Sequence, residues 1–305
     1  MVTTDGRSRV RLPDGRRLDV WQGGDPSGRP VLFLHGTPGG RLQAALGDGP
    51  ARRAGVRLLA FSRPGYGGSS DARTSLASVA DDAAAVADLL GVDRFAVLGV
   101  SGGGPFALGV AACRAGRVTR VGVVAGPGPL LAEELARDPD ADPAADPDAD
   151  GAVDPAVDLS VDPAVRAALA GDHDAAVALR DAAAVGGSDA GPGAGLRAPV
   201  AGGFVSPEIL EPWAGSGRPG IPPYRGASRD WLALAVGWDV DLADVRAPVT
   251  LWYGDRDRLV PPAHGRWLHE RLPTSRLVVR AGEGHLGTLL THWGEVLTEL
   301  APVGG

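Results

Sequence analysis

Residues Phe95 to Pro105 read FAVLGVSGGGP, and the rest of the chain is best read outward from them. An apolar run too short for a helix ends in a serine crowded by glycines, and the apolar stretch FALGVAAC (106–113) follows. Gly99-Val100-Ser101-Gly102-Gly103 has the pattern G-x-S-x-G. At a strand-to-helix turn such a serine is forced into a strained backbone conformation that lifts its hydroxyl above the sheet, and small neighbours make room for it. Taken alone, the pentapeptide fits a glycine-rich turn with an incidental serine equally well. Pro105 favours the first reading, because proline is tolerated in the first turn of a helix beginning directly behind Ser101.

Similar short apolar runs occur at Pro30–Gly36 (PVLFLHG), Val56–Ser62 and Val118–Gly126, each fit for a strand buried on both faces. Ser75–Gly91 has helical periodicity, with Gly91 as a stop. Strands alternating with helices predict a parallel sheet with right-handed crossovers. Val10–Trp21, with Asp14-Gly15 at its centre, predicts an antiparallel hairpin at the sheet's start. The pattern stops near Pro127 and resumes with PVTLWYG (248–254) and RLVVRAG (276–282), followed by helices over 262–272 and 286–300. The expected fold is therefore α/β, with a mostly parallel sheet of about eight strands, helices on both faces, an N-terminal hairpin and an inserted cap or lid. Residues 1–126 and 240–305 would form the core, and 127–239 the insertion.

The insertion opens with an acidic low-complexity stretch, 138–163, holding nine aspartates and no basic residue, which reads as a solvated loop. Within it Asp146, Asp148 and Asp150 imitate the start of a calcium loop, but position twelve would be Val157 rather than a bidentate glutamate. A glycine-rich linker spans 186–203, and Phe204, Trp213, Tyr224, Trp231 and Trp238 follow, as pocket lining or core. Ser228 reads as an N-cap for the helix after it.

The net charge of −7 is concentrated in the acidic stretch, and the arginines are scattered, which disfavours nucleic acid as a partner. There is no lysine, so neither a Schiff base nor a lysine general base is available. Cys113 is the single cysteine, read as a packed small thiol, and no internal disulfide can form. Neither a leader-like segment nor a run of about 18 apolar residues occurs, so a cytoplasmic protein without a membrane partner is expected.

Both late strands end in chemistry. WYG is followed by Asp255 and Asp257, and VRAG by His285. Loops at the carboxyl ends of parallel strands gather on one edge, so Ser101, an aspartate and His285 can converge. With HGTPGG, SRPGYGGS, GVSGGGP, WYGDRDRLVP and GEGHLG, the chain resembles the α/β-hydrolase superfamily before about Ala125 and after about Trp238. That resemblance implies a Ser101–Asp257–His285 triad, Asp257 being the aspartate three residues before Val260-Pro261, and a small-molecule substrate with no cofactor or metal. Ser62 departs from the aspartate common at its position.

The oxyanion of such a reaction needs backbone donors. Gly102 N–H is one, and Thr37 N–H is preferred for the other because Pro38 has none. Arg63, Tyr66, Trp213 and Trp231 are candidates for the substrate pocket, although Arg63 could instead tie down its own loop. His35 reads as a hydrogen-bonded structural residue, His264, His269 and His292 as solvated, His173 as isolated, and Glu283 as orienting the histidine loop. Hydrolysis of an ester, lactone or similarly activated carbonyl leads. Aminopeptidase, carbon–carbon hydrolase or perhydrolase chemistry on the same triad and a non-catalytic binding member are the alternatives. A serine at the elbow argues against the aspartate-nucleophile dehalogenases and epoxide hydrolases.

Overall fold

The computed structural model describes residues 6–132, 135, 162–186 and 225–302. Nearly all of the acidic stretch, including Asp146, Asp148 and Asp150, lies outside them, as do the glycine-rich linker beyond Gly186, Phe204, Trp213 and Tyr224. Eight strands form one sheet: β1 (Arg7–Arg11), β2 (Arg17–Gly24), β3 (Arg29–Leu34), β4 (Val56–Phe61), β5 (Phe95–Val100), β6 (Val118–Val124), β7 (Val249–Gly254) and β8 (Ser275–Arg280). Their order is β1-β2-β4-β3-β5-β6-β7-β8. β1 and β2 run antiparallel, β2 is antiparallel to β4, and every pairing from β4 to β8 is parallel. Chain order reverses between β3 and β5, which opens a crevice at their carboxyl ends.

The helices are α1 (Asp48–Arg53), α2 (Leu76–Leu89), α3 (Gly103–Cys113), α4 (Pro163–Leu169), α5 (His173–Gly186), α6 (Arg225–Ala235), α7 (Pro262–Arg271), α8 (Gly287–Leu290) and α9 (Trp293–Leu300). Two apolar clusters cover the two faces of the sheet. One joins Leu32, Leu59, Phe61 and Val97 to α2 and α3; the other joins Phe33, Leu58, Leu98 and Trp252 to α1 and α9. Every residue of β5 and β7 is buried, which is why both read as continuous apolar runs. Each fully buried side chain of the Phe33 or Leu58 kind contributes about 1.5–3 kcal/mol through burial.

Helix α2 starts at Ser75, whose hydroxyl accepts from Ser78 N–H while the Ser78 hydroxyl accepts from Ser75 N–H. It stops before Gly91, which takes the left-handed conformation (φ 69°) that favours glycine. Between β6 and β7 the chain adds α4, α5 and α6, which share a small cluster of Ala164, Ala168, Ala176, Val177 and Leu232.

Three expectations are corrected. Ser228 does not cap α6 but lies inside it, because the helix begins at Arg225 and the Ser228 hydroxyl donates to Asp181 at 2.7 Å. The helix expected over 286–300 is two helices, broken where His292 leaves helical geometry (φ −122°, ψ 11°). Cys113 is only half-buried at the end of α3, and burial raises its thiol pKa. No described helix is long and apolar enough to cross a membrane.

Candidate active site

Ser101 follows β5 with φ 50°, a left-handed conformation that costs a non-glycine residue energy and aims its side chain out of the turn. The strain is held from both sides. Ser101 N–H donates to Val124 O at 2.8 Å, and Gly104 N–H donates to Ser101 O at 2.8 Å. A Cβ on Gly103 would lie 2.6 Å from His35 O, so only glycine lets α3 start this close to the end of β3.

His285, after β8, places Nε2 2.9 Å from Ser101 Oγ and Nδ1 2.7 Å from Asp257 Oδ2. Asp257, after β7, is 4% exposed, and its other oxygen accepts from Leu259 N–H (3.0 Å) and Val260 N–H (2.9 Å). The imidazole thus bridges the two side chains, and the tautomer with its proton on Nδ1, toward the carboxylate, leaves an Nε2 lone pair facing the serine. Asp255 is exposed and does different work: Oδ1 accepts from Gly282 N–H at 2.7 Å, tying the β7 loop to the β8 loop. Glu283 O accepts from Arg256 N–H at 3.0 Å, and the Glu283 carboxylate meets His292 at 3.2 Å and Thr291 at 3.3 Å.

Across the crevice the loop after β3 carries Thr37. A Cβ built on Gly102 would lie 2.8 Å from Thr37 Cβ and 3.3 Å from Thr37 N, so the amides of residues 37 and 102 are neighbours beside Ser101. Gly36 N–H donates to Gln43 Oε1 at 2.8 Å, and a Cβ on Gly36 would lie 3.4 Å from Ser101 Cβ.

Behind this loop lies a buried polar cluster. His35 is fully buried; Nδ1–H donates to Gly36 O at 2.7 Å and Nε2 accepts from Arg63 N–H at 3.1 Å. Burial, and secondarily the neighbouring Arg63 charge, hold its pKa well below the usual 6.5. Arg63 and Asp230 form an ion pair with neither side chain exposed. Burial, then the nearby Asp230 carboxylate, push the Tyr66 phenol well above its usual pKa, so it keeps its proton and donates to Asp230 Oδ2 at 2.7 Å.

Arg63 and Tyr66, expected at the pocket, are therefore both spent on this cluster. Trp231 is half-buried against the α4–α5 pair, with the Arg180 guanidinium 3.8 Å over its ring; Trp213 lies outside the described residues. His264, expected in solvent, is half-buried and accepts from Gly128 N–H at 3.0 Å; His292 is half-buried beside Glu283. His269 is exposed, as expected.

Asp230 escaped the sequence reading. Its signal was an acidic residue on the buried stripe of an amphipathic helix, four residues from both Gly226 and Leu234.

A family model described as alpha/beta hydrolase fold matches residues 29–290. A hydrolase structure from Pseudomonas aeruginosa superimposes with TM-score 0.65 at 18% identity, covering 99% of this chain and 100% of the other. An enol-lactonase from Burkholderia xenovorans gives 0.63 at 17% identity, over 96% and 99% of the two chains. An esterase from Exiguobacterium antarcticum gives 0.61 at 20% identity, over 96% and 97%. One curated relative, the dihydrolipoyllysine-residue acetyltransferase component of an acetoin cleaving system from Pseudomonas putida, is 33% identical over 116 residues, 37% of this chain; the match spans 31% of that protein's length. With the family model spanning most of its length and the sheet, crevice and turn geometry in agreement, the chain belongs to the α/β-hydrolase fold family.

Proposed function

We propose that this hydrolase cleaves an ester, lactone or similarly activated carbonyl of a small to medium apolar substrate through an acyl-enzyme on Ser101, without a cofactor. The observation carrying this reading is the continuous relay from Ser101 Oγ to His285 Nε2 (2.9 Å) and from His285 Nδ1 to Asp257 Oδ2 (2.7 Å). A serine hydroxyl is a weak nucleophile at neutral pH, so His285 takes its proton as Oγ attacks the carbonyl carbon. Asp257 holds the imidazole tautomer and stabilises the imidazolium without taking the proton. The tetrahedral oxyanion is met by the N–H groups of Gly102 and Thr37, the first at the N-terminus of α3. His285 then protonates the leaving group, and water attacks the acyl-enzyme by the same route in reverse.

The esterase and enol-lactonase among the similar structures act on such carbonyls and support the substrate class. The test is a fluorophosphonate probe, expected to label Ser101, together with a panel of nitrophenyl esters, lactones and peptide amides run beside Ser101→Ala. Turnover of at least one ester or lactone should fall by about 10^4-fold or more in Ser101→Ala. A folded wild type that neither takes the probe nor hydrolyses any member of the panel would overturn the reading.

A further inference from the structure

We infer that Arg63 and Asp230 are positioning residues that aim the Thr37 N–H, so that the oxyanion site is completed by helix α6 from the segment between β6 and β7. The inference rests on the hydrolase reading above and adds residues that act only through Thr37.

A peptide unit is planar, with C=O and N–H on opposite sides, so whatever fixes Gly36 O also fixes the direction of Thr37 N–H. Gly36 O accepts from His35 Nδ1–H at 2.7 Å and from Arg63 Nη2 at 3.2 Å. Arg63 Nη1 donates to His35 O at 2.6 Å, which fixes the preceding peptide as well. Two successive carbonyls thus point into the guanidinium, and the Thr37 N–H, opposite the Gly36 carbonyl, is turned away from it.

The guanidinium is itself aimed by Asp230. Oδ1 accepts from Arg63 Nε at 3.1 Å, and Oδ2 accepts from Arg63 Nη2 and, at 2.7 Å, from the Thr37 hydroxyl. Thr37 is therefore held at both ends, through its peptide by Arg63 and through its side chain by Asp230 and, at 3.2 Å, Arg63 Nη2. Tyr66 donates to the same oxygen, leaving the carboxylate surrounded by donors in a site closed to water. Bonds of this kind, fully satisfied and dry, give a dipole that need not reorganise as charge develops. Asp230 reaches the loop from 193 residues along the chain, so displacement of α6 would loosen the Thr37 donor while leaving Ser101, His285 and Asp257 in place.

Thr37→Val keeps the shape and the backbone N–H, spares the Arg63–Asp230 pair and removes the two hydroxyl bonds, the one donated to Asp230 and the 3.2 Å one accepted from Arg63 Nη2. We expect kcat to fall by about tenfold with KM changed less than about twofold, since a misaimed donor costs part of the 100- to 1000-fold that losing one costs. Inhibition by phenylboronic acid, whose tetrahedral serine adduct places an oxygen in the same position, should weaken by a similar factor. Thr37→Ser, which restores the hydroxyl, should recover most of the loss. Asp230→Asn should lower kcat further; if it does not fold, the Thr37 pair decides. The inference is overturned if Thr37→Val turns over like wild type, if its loss lies wholly in KM, or if Thr37→Ser is as slow as Thr37→Val. A wild type unlabelled by fluorophosphonate and inert toward every ester and lactone would instead remove the hydrolase reading, and this inference with it.

Discussion

The two sides of the crevice are built on opposite principles. On the Thr37 side, His35, Arg63 and Asp230 are sealed from water and bonded to one another or to backbone carbonyls. On the histidine side Asp257 is buried, but Asp255 and Gly282 are exposed, Glu283, His285 and His292 are half-exposed, and the two loops are joined by bonds such as Gly282 N–H to Asp255 and Arg256 N–H to Glu283 O. Under the proposed mechanism the difference is chemical. A donor that meets a developing charge works best fixed and dry, whereas a base that exchanges protons with the leaving group and the attacking water must stay near solvent.

The largest effect should separate the two aspartates of the histidine side. Asp257→Asn presents an amide to His285 Nδ1 and favours the wrong tautomer, so kcat should fall by about 10^4-fold with the fold intact. Asp255→Asn keeps an oxygen for Gly282 N–H and should stay within about threefold of wild type, since exposed substitutions seldom do more. Steady-state kinetics on the best ester of the panel checks both. A larger loss at Asp255 would reverse the assignment.

The next effect compares two glycines across the crevice. Gly102 has an ordinary helical backbone (φ −52°), so alanine there meets no backbone penalty, only Thr37, whose Cβ would be 2.8 Å away. Thr37 cannot yield, being backed by Asp230, and Gly102→Ala should cost about 100-fold in kcat. At Gly284, beside His285, an added Cβ meets nothing within 4 Å, and Gly284→Ala should stay within about threefold. Equal losses at the two positions would show that the Thr37 side is no stiffer than the histidine side.

The contrast also explains what the sequence could reveal. Ser101, Asp257 and His285 stand directly after strands whose apolar runs are legible, so the turns that present them could be located, and a parallel sheet brings such turns to one edge. Choosing Asp257 over Asp255 took the family pattern, because both follow β7 within three residues. The role of Arg63 was not legible, because its partner lies 167 residues away on a helix whose position no local pattern encodes. Ser228 misled for a related reason. It is a good cap by type, yet its hydroxyl is used by Asp181 from another helix, and tertiary contact outweighed local preference.

The smallest effect concerns pH and the dry side alone. His35 is neutral in the fold, with one nitrogen donating to Gly36 O and the other accepting from Arg63 N–H, and its pKa lies well below the ordinary 6.5. Above about pH 6.5 the folded and unfolded chains both hold a neutral imidazole, and this residue makes no contribution to pH dependence. As pH falls below about 6.5 the unfolded chain binds a proton that the folded one refuses, so stability declines by up to about 1.4 kcal/mol per pH unit, a tenfold change in the folding equilibrium. His35→Gln does not titrate and should lack this component, whatever stability it loses at pH 8. Urea unfolding of both proteins between pH 8 and pH 5 measures the difference in slope. Parallel slopes would mean that His35 is hydrated or charged in the native protein, and that the pocket behind the Gly36–Thr37 peptide is not dry.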